Sequence, residues 1–144
     1  MKKYKLTITE DQAKFIMRGL EAISRAGLKQ YDYALEEICP NLFSAVGGLD
    51  GMWNIRDYIR LKEGCNLPTH GSFGINSSEV PDEARDCFDM VQVIRNRIAW
   101  DNAEHDESDR NEHYCKYMQV SYDKPMQYGK IGLMKMEQIK NEKS

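Results

Sequence analysis

Trp53, Arg56 and Arg60 are linked by steps of three and four residues, the spacing that brings side chains to one flank of a helix. An indole ring gives a base a face to stack on, and guanidinium groups grip phosphate oxygens in pairs. The same trio also has a purely structural reading, as a partly buried tryptophan with arginines bonded to Asp50 or Asp57. More donors lie in the stretch from His70 to Ser78, where Gly71 and Gly74 permit close backbone approach and Ser72, Asn76, Ser77 and Ser78 carry polar groups. A helix starting near Pro81 directs its dipole toward them, which suits an anion, although Glu79, Asp82 and Glu83 oppose one. Local capping by Ser and Asn is the simpler account of this loop. Arg95 interrupts an apolar stripe, so its guanidinium is expected on a carboxylate or a ligand, unless its stem alone is covered and its head reaches solvent. Trp53, Arg56, Arg60, His70, Ser72, Asn76 and Arg95 form the candidate ligand-binding set.

Catalytic and metal chemistry find less support. The spacing His105-x7-His113-x-Cys115 fits no common zinc arrangement, Cys65 and His70 make only a loose pair, and no cofactor or metal is expected. GSFGINSS has neither the spacing nor the lysine of a phosphate loop, and no GxSxG elbow occurs. His70 is the best general base on offer, but a single loop histidine is a weak basis for an enzyme.

The elements that must hold these residues are mostly helical. Ala84, Cys87, Phe88, Val91, Ile94 and Ile98 recur at helical spacing and predict a central helix within 77–101, with Pro81 suited to its first position. Val93 and Trp100 lie on its other face, so this helix is expected to make contacts on two sides. Thr9-Glu10-Asp11-Gln12 has capping-box spacing and opens a helix whose core positions are Ala13, Ile16, Met17, Leu20 and Ile23, ending at Gly27. A shorter helix is predicted over 30–38, a turn over 42–46, and a helix over 51–63 capped by Asp50, with Met52, Ile55, Tyr58 and Ile59 inward. Tyr4–Ile8 alternates like a strand, as do 114–122 imperfectly and 132–139. The expected architecture is a single α+β domain over 1–144: mostly helical, with a small antiparallel sheet formed by the N-terminal strand and the C-terminal strands.

The 144 residues suffice for one core, and 41% hydrophobic with 30% charged residues describes a globular chain. With no apolar run of membrane length and no apolar stretch at the start, a cytoplasmic protein that does not enter membranes is expected. Four scattered cysteines without CxxC favour free thiols, and a net charge of −3 argues against DNA binding.

The stretch SFGINSSEVPDEARDCFDMVQVIRNRIAW (72–100), the start LTITEDQAKFIMRGLEAISRAGLKQYD (6–32) and the late YDKPM resemble small cytosolic proteins encoded in tailed bacteriophage and prophage genomes. The resemblance implies a setting without a mechanism. The expectation is a non-catalytic accessory protein, homo-oligomeric, that neutralises a host defence component by sequestering a small phosphorylated, nucleotide-type ligand. The alternatives are an inhibitor that binds a host protein through a patch around Val93 and Trp100, and a small metal- or His-dependent hydrolase.

Overall fold

The structure, a computed structural model, describes residues 2–105 and 120–139. Five helices run in order: α1 (Glu10–Gly27), α2 (Tyr31–Ile38), α3 (Leu42–Ala45), α4 (Leu49–Lys62) and α5 (Asp82–His105). A single 3-10 turn (Val120–Tyr122) follows. Helix α1 is the hub: it packs against both α5 and α2, and α2 in turn meets α4. No helix among the described residues is long and apolar enough to cross a membrane.

The N-terminus of α1 is built as its sequence requires. Gln12 N–H donates to Thr9 Oγ1 at 3.2 Å, and Thr9 N–H donates to Gln12 Oε1 at 2.9 Å. At its other end Gly27 lies so close to Ala84 that a Cβ there would collide with that side chain, so glycine lets α1 approach the start of α5. Leu28, Val80 and Ala84 then close a small core, with Phe73 and Ile75 of the preceding loop packed on it. Asp50 lies in the first turn of α4, and Gly48, with φ +85, takes the cap position instead.

Burial departs from the wheel in an instructive way. On α5 the stripe holds, with Ala84, Cys87, Val91 and Ile94 buried. On α1, Ala13, Ala22 and Ser24 are buried, whereas Ile16 and Ile23 are 39% and 46% exposed. On α4 the arginines are buried and Tyr58, expected inward, is 61% exposed.

The expected sheet does not form: among the described residues there is no strand, and the fold is helical rather than α+β. Residues 2–8 form no regular element, with Tyr4 and Leu6 strongly exposed. Of the stretch 114–122, residues 120–122 make the 3-10 turn and the rest lies outside the described residues. Residues 123–139 run as an irregular strap, whose first half the α5 side chains engage in the way a neighbouring strand would. Asp89 accepts from Tyr128 N–H at 3.0 Å and Gly129 N–H at 2.8 Å, and Asp86 accepts from Ile131 N–H at 3.0 Å. The Gln92 amide both accepts from Met126 N–H (3.1 Å) and donates to Met126 C=O (3.0 Å). Asn96 Nδ2 donates to the carbonyls of Ser121 and Asp123. Phe88 meets Tyr128 and Trp100 meets Tyr122, with ring centroids 5.7 and 5.1 Å apart. These bonds occupy backbone groups between 121 and 131 and tie that segment to α5, while the expected strands 4–8 and 132–139 are irregular and pair with nothing among the described residues. The two-sided contact of the central helix is thus made by α1 and by this strap.

Candidate functional site

Arg60, 4% exposed, points into the protein. Its Nε and Nη2 donate to the Lys29 carbonyl at 3.0 and 2.5 Å, Nη1 donates to Pro68 and Thr69 carbonyls at 3.2 and 3.3 Å, and Nη2 also reaches the Gly71 carbonyl at 2.6 Å. Lys29 itself has φ +63, and its bonded carbonyl helps hold that turn. Arg85 does the same downstream, donating to the carbonyls of Ile75 (3.0 Å) and Ser77 (2.5 Å). Two guanidinium groups therefore staple the 65–78 loop. Ser72 Oγ accepts from Gln30 Nε2 at 3.0 Å, and Asn76 is exposed between the two carbonyls that Arg85 holds.

Arg56, 3% exposed, is also turned inward: Nη1 meets Asp32 Oδ2 at 3.3 Å and Nε meets Asp57 Oδ1 at 2.9 Å, while Nη2 is buried with no hydrogen-bond partner. Its guanidinium carbon lies 5.9 Å from the Trp53 ring centre, and Trp53 meets the exposed His70 edge-on at 5.1 Å. The structure thus brings Trp53, Arg56 and His70 together, but Arg60 spends its donors on backbone carbonyls and Arg56 spends Nε and Nη1 on Asp57 and Asp32. Beside them is a depression of about 180 Å³ lined by Asp57, Arg60, Leu61, Cys65, Leu67 and Thr69.

Arg95 stands apart from this cluster. It lines a groove between α1, α2 and α5 together with Met17, Arg18, Glu21, Glu37 and Val91. Glu21 is held by Arg25 (2.7 Å) and Glu37 by Arg18 (3.5 Å), and Arg18 Nη2 also donates to the Glu37 carbonyl at 2.6 Å. Arg95 has no such partner among the described residues: its Nε is shielded from solvent without a hydrogen bond, and no carboxylate pairs with it. The expected carboxylate contact is therefore absent among the described residues; the stem is covered while the terminal nitrogens reach solvent, the other arrangement its position in the stripe allows. Arg18, Glu21 and Glu37 were not among the sequence candidates. Their only signal was the charged flank Arg18, Glu21 and Arg25 on α1, at the three- and four-residue steps of one helix face.

No group of three His, Cys, Asp or Glu among the described residues is arranged to hold a metal ion. The His105 side chain, His113 and Cys115 lie outside the described residues. Cys87 is buried on α5, and burial, with Glu83 and Asp86 adding to it, pushes its thiol pKa up, which is unfavourable to a nucleophile. Comparison with protein-family models, curated proteins and solved structures finds no match to this chain.

Proposed function

We propose that this protein is a non-catalytic accessory protein of phage origin that captures a small phosphorylated ligand in the host cytosol, with Arg95 as the anion-binding group. The observation that carries this reading is the Arg95 guanidinium, which lines a groove beside Arg18 without a carboxylate of its own among the described residues. A partly buried charge without a partner is unfavourable to the fold alone, and a bound anion would balance it. The phage setting rests on the resemblance of 6–32 and 72–100, and defence evasion is the role consistent with a binder that does no chemistry.

A second reading draws on a different face. Phe15 (76% exposed), Ile16, Gly19 and Ile23 form an apolar stripe on α1 turned away from α2 and α5, and nothing lies within 4 Å of where a Cβ on Gly19 would be. Such a surface favours a protein partner, a host protein or a second copy.

Equilibrium dialysis of the full-length protein against a nucleotide mixture separates these. Capture predicts a bound fraction recovered chemically unchanged. It also predicts that Arg95→Ala removes a charge-assisted contact of about 1.5–3 kcal/mol, a loss of roughly tenfold to over a hundredfold in affinity. Undiminished binding by Arg95→Ala contradicts the reading, and time-dependent consumption of a nucleotide favours an enzyme.

A further inference from the structure

The charges around Arg95 select among phosphorylated ligands. Along the groove α1 contributes Arg18 and Glu21, with Arg25 on Glu21, α2 contributes Glu37, and α5 contributes Arg95. Arg18 and Arg25 match Glu37 and Glu21, which among the described residues lining the groove leaves one uncompensated positive charge, that of Arg95. The groove, about 190 Å³, is smaller than the roughly 300–1,000 Å³ that enclose a drug-sized ligand, so it takes one charged group and its neighbouring atoms. Met17 and Val91 supply apolar wall.

Resting on the capture reading above, we infer that the groove takes a singly charged phosphodiester in preference to a phosphate monoester. A phosphodiester carries one negative charge, and its two free oxygens suit the fork of a guanidinium. A monoester carries about −1.5 to −2 at neutral pH. Its second charge finds no free cation and faces Glu21 and Glu37 on the walls, where partial burial weakens screening by salt.

Calorimetry on the full-length protein, with the four nucleoside 3′,5′-cyclic monophosphates and the four 5′-monophosphates as probes, tests this at about pH 7.5. The expected result is a cyclic nucleotide bound at least about tenfold tighter than the monophosphate of the same base. Lowering the pH to about 5.5 protonates much of the monoester, whose second pKa is near 6, so its affinity should rise toward that of the diester while the diester's stays level. Glu37→Gln, at a position whose side chain is 36% exposed and thus tolerant of the change, adds one net positive charge and should raise monoester affinity more than diester affinity. Equal or tighter binding of the monoester at pH 7.5 overturns the inference and leaves the capture reading standing. Binding by neither class overturns both, and diester binding that Arg95→Ala leaves intact removes the groove from the account.

Discussion

Arg56, Arg60 and Arg95 carry the same group into three settings, and the setting decides what each does. Arg56 compensates Asp32, itself 7% exposed, so Arg56→Ala strands a buried carboxylate and should destabilise by roughly 3–5 kcal/mol. Arg60→Ala leaves the carbonyls of Lys29, Pro68, Thr69 and Gly71 without their donor and should cost at least about 1.5–3 kcal/mol, with Arg60→Lys failing to rescue because one ammonium cannot span them. Arg95→Met, by contrast, removes an unpaired group and should leave stability within about 0.5 kcal/mol or improve it. Urea denaturation of the three variants ranks them, and a large loss for Arg95→Met would mean that the residue is structural. The bond of Arg56 to Asp57 was legible as the structural account of the trio, but the partners of Arg60 and the Asp32 contact were not. Trp53, Arg56 and Arg60 share a helix flank as their spacing requires, but whether that flank faces solvent or the turn at Lys29 depends on where α1 ends and α2 begins.

At the scale of elements, α5 is organised by two faces of different chemistry. Its apolar stripe packs on α1 and was readable from a period of 3.6 residues. Its polar face, Asp86, Asp89, Gln92 and Asn96, reads as a solvated surface in sequence and is instead the support for the 121–131 strap. Helices with caps and periodic stripes were legible because their signals are local. The strap was not, because long-range side-chain bonds to backbone leave no periodic trace, and the strand-like stretches 114–122 and 132–139 that flank it drew the reading toward a sheet. Gly129 is the exception that could have marked it: a side chain there would run into the Asp86 backbone. Gly129→Ala should therefore release the strap, with hydrogen exchange at the amides of 128, 129 and 131 accelerating while α1 amides keep their protection. Unchanged exchange at those amides would show that the Asp89 contacts do not hold this segment.

For the molecule as a whole, stability is spread over several polar clamps around a core of mostly small side chains. One clamp joins the α1–α2 turn to α4: the Tyr31 hydroxyl donates to Glu63 Oε2 at 2.5 Å and Lys29 Nζ lies 3.0 Å from the same oxygen. The Tyr31 hydrogen bond first, and Lys29 after it, hold the Glu63 carboxyl below its ordinary pKa. A carboxylate with a depressed folded pKa contributes stability that is present above its unfolded value, about 4.3, and lost as pH falls through the folded value. Glu63→Gln should accordingly flatten the fall in stability below about pH 4.5 relative to wild type, as read by denaturant midpoints across an acid series. An acid profile identical to wild type would remove this clamp from the account.

The central claim is that the anion is met at Arg95 and not at the α4 arginines. The most direct measurement is the nitrogen-15 spectrum of arginine Nε–H groups during titration with a 3′,5′-cyclic nucleotide. The account predicts saturable shifts at Arg95 and Arg18, with Arg56 and Arg60 unmoved because their Nε–H groups are bonded to Asp57 and to the Lys29 carbonyl. Shifts confined to Arg56 and the Trp53 indole, or no shift at Arg95 at saturation, would contradict it.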